Sequence, residues 1–410
     1  MNIFRSSNKI TKSYKIYPTI VVIAYNRPES LKRLLRSLTT MHLPDNDDNN
    51  NIKVRLVISI DGGGDAKTIE VARDFLWAYG DKMIIERDHN LGLKEHILQC
   101  GDKSQDYGSV ILLEDDLVVS PAFYDFSCQA LGWYATDNLI AGISLYSQRL
   151  NECAGCLFEP INNGYSVFLA RMPSSWGQAF TANQWKFFRD WLKNRKTLSD
   201  SPKIPKNIRY WPESSWKKYF CDYMIWSKRW FVYPYISYTT NFGEVGRHHV
   251  RKSTTTQVEL ATNSTFFIFP KVEGAIKYDL YWELEMEDFV NGRKSKVLWD
   301  LYGKKTCLDS DYIISCSDLE DYRKIRGFAL DLRPVQLNYF MENEGTDFWL
   351  QERIQKDSNL KSSEKVNDNC EKFLRKLRFS RCDLIPARDI FLLFLSRLLV
   401  WIKEKLGMVI

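Results

Sequence analysis

Short apolar runs alternate with helical patterns over the first 120 residues, and this alternation constrains the fold more than any other feature. The first run, Thr19–Ala24, is continuous and rich in β-branched residues, as is typical of a strand buried on both faces. Pro28 favours the start of a helix that runs to about Leu38. Further strands are predicted at 53–60, 83–86 and 110–113, and further helices at about 66–79 and from about 90. Such alternation predicts a parallel sheet with βαβ crossovers.

Polar side chains follow three of these predicted strands. Arg27 follows the first strand, and Asp61 closes the second, ahead of three glycines. The fourth strand runs directly into Glu114, Asp115 and Asp116. In parallel sheets of this kind, ligands bind beyond the carboxyl ends of the strands. We therefore expect these groups to lie along one rim of the sheet and to form a binding site.

The three adjacent carboxylates need a physical reason, because like charges that close repel each other. One interpretation is a solvated strand end, and the other is a bound divalent cation. Mg²⁺ and Mn²⁺ prefer oxygen ligands and commonly take one or two carboxylates together with substrate phosphates. Since side chains alternate along a strand, Glu114 and Asp116 are expected on one side and Asp115 on the other.

The composition is that of a globular protein, with 44% hydrophobic and 26% charged residues. The net charge of +6 is too small to argue for a nucleic-acid partner, but it suits a phosphate-bearing substrate or an anionic membrane surface. Nine cysteines occur, and the one C-x-x-C pair, Cys153 and Cys156, has no second pair to complete a zinc site. This usage favours a reducing compartment. The basic, polar residues 1–15 do not resemble a secretory signal.

The later parts of the chain differ from the first 120 residues. Seven of the 13 tryptophans lie between Trp176 and Trp230, which predicts a packed aromatic subdomain and also suits stacking on sugars or bases. Near the end of the chain, a basic cluster precedes the apolar run Ile390–Ile402. This run is interrupted by Ser396 and Arg397 and is shorter than the roughly 20 residues of a membrane span. An amphipathic helix on an anionic membrane surface is expected there, and docking on the protein's own core is the alternative.

The order VVIAYNRPESLKRLL, LVISIDGG, RDHNLGLKEHI and VILLEDDLVVSPAFYDF resembles the nucleotide-sugar glycosyltransferases of the GT-A fold. Within them it is similar to the N-acetylglucosaminyltransferase I group and to bacterial family 2-like enzymes. The resemblance covers roughly residues 17 to 250, and the Glu-Asp-Asp version of the Asp-X-Asp motif is its most specific part. It implies an α/β, Rossmann-like fold with a mixed, mainly parallel sheet, flanking helices and a C-terminal helical appendage.

The resemblance also implies roles for individual residues. Asp116 corresponds to the ligand of Mn²⁺ or Mg²⁺. The residues that would bind the donor are Arg27, Asp61, Glu114, Asp115 and Trp176. Asp222 falls where the catalytic base would be, which would take the proton of the acceptor hydroxyl. Alternatives stay open: Asp222 as a buried aspartate that caps a helix, Glu213 or Glu244 as the base, and a loop pair, His248 and His249, either near the metal or on the surface.

The implied activity is transfer of a sugar, with inversion, from a nucleotide-diphosphate donor, preferably a UDP-sugar, to a glycan or lipid-linked glycan. Retention is the alternative outcome. The expected setting is surface polysaccharide synthesis in the cytoplasm, at the inner face of a membrane. Rival interpretations are a glycan-binding protein that has lost catalysis and a sugar-nucleotide pyrophosphorylase, although AYNRPES lacks the glycines of the latter. The expected segments are a tail (1–15), a GT-A domain (16–270, donor half to about 125), an extension (271–354), a linker (355–371) and a basic amphipathic helical segment (372–410).

Overall fold

The protein is described by a computed structural model. The residues that it describes are 16–44, 52–195, 197–243, 254, 256–263, 266–290, 293–354, 368–379 and 386–405.

The strands are β1 (Thr19–Ala24), β2 (Leu56–Ile60), β3 (Lys82–Glu86), β4 (Ser109–Glu114), β5 (Leu117–Val119), β6 (Ile140–Ser144), β7 (Leu150–Asn151), β8 (Cys156–Leu157), β9 (Val167–Ala170), β10 (Gln178–Thr181), β11 (Trp230–Pro234), β12 (Thr239–Asn241), β13 (Lys277–Tyr278), β14 (Glu285–Val290), β15 (Arg293–Asp300), β16 (Tyr312–Ser315), β17 (Tyr322–Phe328) and β18 (Phe348–Arg353). The helices are α1 (Pro28–Leu38), α2 (Ala66–Asp74), α3 (Gly92–Tyr107), α4 (Phe123–Tyr134), α5 (Ala182–Lys193), α6 (Lys206–Arg209), α7 (Trp216–Ser227), α8 (Leu337–Phe340), α9 (Asp368–Phe379) and α10 (Ala387–Lys405). A 3-10 helix spans Val272–Gly274.

One large sheet of nine strands organises the molecule, in the order β13-β9-β11-β6-β10-β4-β1-β2-β3. Strands β4, β1, β2 and β3 are parallel to one another, while β10 is antiparallel to both of its neighbours. The predicted α/β class, with a mixed and mainly parallel sheet and flanking helices, is confirmed. Strand β1 lies between β2 and β4, so the chain leaves β1 in one direction and returns on its other side. Such a switch point opens a crevice at the carboxyl ends of the two strands.

Both faces of this sheet are buried, as the continuous apolar strands predict. Along β1, Ile20 and Val22 belong to one apolar cluster and Val21 and Ile23 to the other. Helix α1 covers the first face with four leucines, Leu31, Leu34, Leu35 and Leu38. On the second face, α3 packs against α5. Arg27 therefore sits at a fixed place, between a buried strand and a buried helix.

The aromatic-rich segment is mainly core. Trp185, Trp191, Trp216 and Trp230 are buried, whereas Trp226 is exposed. Rings that pack against one another inside the protein cannot also stack on a bound sugar. The burial thus supports the packing interpretation of this segment over a broad glycan-stacking surface.

A second sheet, of five strands in the order β14-β15-β16-β18-β17, lies within the predicted extension 271–354. Helix α9 begins at Asp368, inside the segment predicted as a linker. Cys370, Phe373, Leu374 and Leu377 of α9 are buried. Its Arg378 donates hydrogen bonds to the carbonyls of Ala154 (2.8 Å) and Gly155 (3.0 Å). The first part of the predicted segment 372–410 therefore docks on the body of the protein.

Helix α10 differs from α9, because its described apolar side chains are exposed. Within the part of the chain that the structure describes, no helix is long and apolar enough to cross a membrane. Residues 1–15 and 355–367 of the predicted tail and linker lie outside the described residues. The eight cysteines in the described part are free thiols.

Candidate functional site

The ends of β1 and β4 bring a guanidinium and two carboxylates together at the switch point. The two strands are in parallel register, with Ile23 opposite Glu114. Arg27 Nη1 lies 3.2 Å from Asp116 Oδ2 and 3.8 Å from Asp115 Oδ1. The rim expected from the sequence thus contains Arg27 and the acidic triplet in direct contact. The guanidinium thus places a positive charge beside both aspartates.

The triplet does not continue the strand, and this corrects one prediction. Strand β4 ends at Glu114, and Asp115 and Asp116 form a turn before β5. Because the turn abolishes the alternation of a strand, Asp115 and Asp116 face the same guanidinium instead of opposite sides. The Asp116 carbonyl accepts a hydrogen bond from the Phe242 amide at 3.0 Å, and β12 pairs with β5. The turn is therefore held from the β12 side as well.

The surroundings of the triplet disfavour the charged form of Glu114, as expected for adjacent carboxylates. Burial, then the charges of Asp116 and Asp115, raise the pKa of Glu114 to about 8, and the cations of Arg27 and Lys217 oppose this rise. Lys217 lies in the first turn of α7, so the start of that helix is within electrostatic reach of the triplet. A cation placed at the turn would relieve the repulsion among the three carboxylates.

One oxygen of the turn has no partner among the described residues. Asp116 Oδ1 is buried and accepts no hydrogen bond from them, while Oδ2 of the same carboxylate faces Arg27. A buried polar atom without a partner is costly and needs an explanation, such as an ion or a ligand. Among the described residues, no group of three or more His, Cys, Asp or Glu side chains is arranged to hold a metal. The carboxylates of the turn fit a hard cation that takes one or two protein carboxylates and its other ligands from phosphate and water.

Asp61 has a role at the rim that the sequence reasoning missed. Its Oδ1 accepts hydrogen bonds from the amides of Gly62 (3.0 Å) and Leu91 (2.8 Å), and its Oδ2 accepts one from the Gly92 amide (3.1 Å). Leu91 and Gly92 form the start of α3, so Asp61 satisfies free N–H groups of that helix. Asp61, which is predicted to bind the donor, thus also fixes the loop between β3 and α3. Nothing in the sequence signalled this contact, because Asn90 lies just before the helix and is itself a favoured capping residue.

Beneath Asp61 lies a buried histidine, which the sequence analysis did not single out. His96 Nε2 is 2.8 Å from Ser59 Oγ. Burial lowers the pKa of His96 to about 4, with the Arg87 charge acting in the same direction and that of Asp61 against it. The imidazole is therefore neutral near pH 7 and contributes to the packing of α3 on β2.

Trp176 is half-buried and is linked to the triplet through β12. Its ring meets the ring of Tyr146 edge-on, with centroids 4.7 Å apart. Its carbonyl accepts a hydrogen bond from Thr239 Oγ1 at 2.5 Å. Thr239 pairs with Val119 of β5, the strand that follows the acidic turn. The structure thus holds Trp176 beside the strand pair next to the site.

Asp222 lies in different surroundings from those expected of a base. It is only 1% exposed. Its two carboxylate oxygens accept hydrogen bonds from the Ser199 amide (2.9 Å) and the Ser199 hydroxyl. These contacts match the alternative of a buried structural aspartate, although the group that it caps is a loop and not a helix.

Of the two competing bases, Glu213 lies in the described part and Glu244 lies outside it. The loop pair His248 and His249 also lies outside the described residues. The Glu213 side chain is 70% exposed and accepts hydrogen bonds from Lys218 Nζ (2.5 Å) and the Tyr219 hydroxyl. These hydrogen bonds lower the pKa of Glu213. The Glu213 carbonyl accepts a further hydrogen bond from Lys94 Nζ (3.1 Å), so this loop is tied to both α3 and α7.

Comparisons with known proteins complete the description. No protein-family profile matches the chain, and neither does any curated protein. Among solved structures, it is similar to the mannosyltransferase PcManGT from Pyrobaculum calidifontis in complex with GDP-Man and Mn²⁺, at 13% identity and a TM-score of 0.32, over 46% of this chain and 51% of that one. It is also similar to S. aureus TarS, at 11% identity and a TM-score of 0.34, over 54% of this chain and 36% of that one. At such low scores, the function has to be argued from the residues of this chain.

Proposed function

We propose that this chain is a metal-dependent glycosyltransferase of the GT-A type, which transfers a sugar from a nucleotide-diphosphate donor to a hydroxyl of a glycan. The observation that carries the proposal is the buried Asp116 Oδ1, which has no partner in the described part of the chain and is held beside Arg27 at the switch point of a mainly parallel sheet. A site of this kind pairs one cation with an anionic ligand. One or two carboxylates bind the cation and leave coordination positions for phosphate oxygens, and the arginine binds the same anionic ligand.

The residues at the rim would divide the work of binding the donor. Arg27 carries a planar guanidinium that suits diphosphate oxygens, and it already holds the acidic turn in place. Glu114 and Asp115 would contact the ribose and the sugar, as the resemblance implies. A divalent cation bound at Asp116 would neutralise charge that develops on the departing diphosphate. Asp61 supports the neighbouring loop through its backbone hydrogen bonds.

The catalytic base is a separate part of the proposal. Asp222 would have to release Ser199 before it could reach an acceptor hydroxyl. Glu213 is exposed, and it lies in a loop that precedes α7 and therefore Lys217, the cation that acts on Glu114. We therefore propose Glu213 as a second candidate for the catalytic base, in addition to Asp222. Inversion is proposed, since either carboxylate would act by removing a proton and not by forming a covalent intermediate.

The proposed acceptor is a lipid-linked glycan in surface polysaccharide synthesis, and the donor is a UDP-sugar. The proposed location is the cytoplasmic face of a membrane, reached through the segment 372–410. Support comes from the exposed apolar residues of α10 and from the basic residues of α9.

Calorimetry of UDP binding, with and without Mn²⁺, tests this function. Binding should require Mn²⁺ and should weaken by at least about tenfold in Asp116→Ala. A matched control is Asp81→Ala, which removes a carboxylate that is 78% exposed and remote in sequence from the triplet. That variant should bind as the native protein does. Absence of UDP and GDP binding under all conditions would contradict the proposal and would favour a glycan-binding protein.

A further inference from the structure

Helix α10 carries apolar side chains that nothing in the described structure covers. Nine of them are exposed: Ile390, Phe391, Leu392, Leu393, Phe394, Leu395, Leu398, Leu399 and Ile402. The first six are consecutive. Since an α-helix has 3.6 residues per turn, six consecutive positions surround the whole helix. The segment was predicted to be amphipathic, but over 390–395 it presents apolar groups in every direction.

The presence of apolar side chains on all sides of α10 determines which partner fits. A helix that packs on its own protein or on a second copy buries one stripe and keeps a polar face toward water. Helix α9 has that design, with Phe373, Leu374 and Leu377 buried and Lys372 and Arg375 exposed. A helix that is apolar all round needs an apolar medium on all sides. Lipid hydrocarbon meets this need, whereas a single protein surface does not.

The length of the apolar run fits one leaflet. Ile390–Ile402 extends about 20 Å as a helix, at about 1.5 Å per residue. The hydrocarbon core of a bilayer is about 30 Å thick, so each leaflet contributes about 15 Å. A helix that enters at a slant would bury the nine exposed apolar side chains within the leaflet on its own side, and Ser396 and Arg397 interrupt the run.

Charge supplies the second argument. Lys372, Arg375 and Lys376 of α9 and Arg388 at the start of α10 are exposed. The buried face of α9 and the hydrogen bonds of Arg378 fix the cations of α9 to the body of the protein. Helix α9 ends at Phe379, and α10 begins at Ala387. Basic residues that directly precede an apolar helix are attracted to anionic headgroups, by about 1 kcal/mol for each residue near the surface.

We propose that α10 inserts into one leaflet of an anionic membrane and that the basic face of α9 rests on the headgroups. This inference rests on the proposed function only in placing the transferase at a membrane, and it names a lipid surface as the partner. It differs from a helix lying flat on the membrane, because opposite sides of α10 would both be in contact with hydrocarbon.

Co-sedimentation of the full chain with vesicles tests the proposal. The vesicles contain phosphatidylcholine with or without about one third phosphatidylglycerol. Phe391→Asp and Leu393→Asp place a charge at positions about 200° apart on the helix. Each variant should reduce binding to anionic vesicles by at least about tenfold, since a carboxylate in hydrocarbon is costly. Leu76→Asp, at a leucine that is 87% exposed on the body, is the matched control and should bind normally.

Any one of three results would overturn the insertion. The first is that the native chain stays in the supernatant with both kinds of vesicle. The second is that only one of the two α10 variants loses binding, which would indicate that one face of the helix contacts the membrane. The third is that the native chain does not bind vesicles but forms a dimer, which dissociates in both variants. UDP calorimetry on the same variants separates this failure from failure of the proposed function, because neither substitution touches the acidic turn.

Discussion

The carboxylate of Asp61 accepts three backbone hydrogen bonds and thereby joins the end of β2 to the start of α3. It is a residue whose type and position suggest ligand binding and whose contacts indicate a structural role. The two roles differ in what a conservative substitution would change. An amide in place of the carboxylate turns an N–H₂ group toward at least one backbone N–H donor.

We expect Asp61→Asn to lower the free energy of unfolding by about 1–3 kcal/mol, because a buried amide N–H loses its acceptor. Urea denaturation measures this change. Asp81→Asn, at an exposed aspartate, is the control and should have little effect. If the variant has native stability but has lost its affinity for UDP, the structural role is contradicted. That result would indicate that Asp61 binds the nucleotide.

His96 makes stability depend on pH. Its folded pKa of about 4 lies below the ordinary value of 6.5, so the unfolded chain binds more protons between these values. The contribution is complete above pH 6.5 and is lost as the pH falls to about 4. Because His96 is 2% exposed, the free energy of unfolding falls by about 3 kcal/mol over this pH range.

The measurement is the free energy of unfolding from pH 7 to pH 4, for the native chain and for His96→Gln. The glutamine side chain does not titrate, so the slope attributed to His96 should disappear even if the variant is less stable throughout. Equal slopes in the two proteins would show that other groups cause the acid sensitivity.

At the scale of helices and strands, α7 is held to the loop between α5 and α6 through Asp222 and Ser199. We expect Asp222→Asn and Ser199→Ala each to lower the free energy of unfolding by about 1–3 kcal/mol, since each disrupts the hydrogen bond between the Ser199 hydroxyl and the Asp222 carboxylate. Donor binding and turnover should then follow the folded fraction. If Asp222 is the base, Asp222→Asn will instead bind the donor and fail to transfer, while Ser199→Ala will do both.

The contact between α3 and α5 depends on a glycine. A Cβ at Gly101 would lie 2.1 Å from the Trp185 ring, which is fully buried and is anchored by a hydrogen bond to Asp102. Gly101→Ala should therefore destabilise the protein by about 1–3 kcal/mol through overpacking. Gly274→Ala is the control, because a Cβ there meets only Tyr165 Oη at 3.8 Å. Thermal unfolding of the two variants measures the difference, and equal melting temperatures would contradict a tight contact.

Local sequence patterns predicted some elements better than others. The bounds of β1 and α1 match the prediction because an unbroken apolar run and a proline mark them. Helix α2 ends at Asp74, earlier than predicted, because Lys82 from β3 donates hydrogen bonds to the carbonyls of Ala72, Arg73 and Phe75. That lysine lies 7 to 10 residues further along the chain and in a separate element, so the helical pattern of α2 alone could not reveal it.

The same distinction applies to the candidate site. The sequence predicted that Arg27 and the triplet share a rim, since strand ends follow from apolar runs. It did not predict the turn at Asp115 and Asp116, because a strand and a turn are both compatible with three acidic residues. The surroundings of Asp222 depend on Ser199, and those of Asp61 depend on the start of α3. Such partners become known only when the chain is folded.

On the scale of the whole molecule, the large sheet places the rim, and the second sheet supports α9. The acidic turn lies where the strand order reverses, and this position follows from the topology and not from any one residue. The central claim is that the turn binds a divalent cation together with a nucleotide diphosphate. It predicts one place in the molecule where the cation must lie.

The most direct measurement is anomalous diffraction at the manganese edge from crystals grown with UDP and Mn²⁺. We predict one strong peak at the turn, within coordination distance of Asp116 Oδ1 and beside the diphosphate. A bound nucleotide with the manganese peak elsewhere, or with no manganese at residues 114–116, would contradict the account.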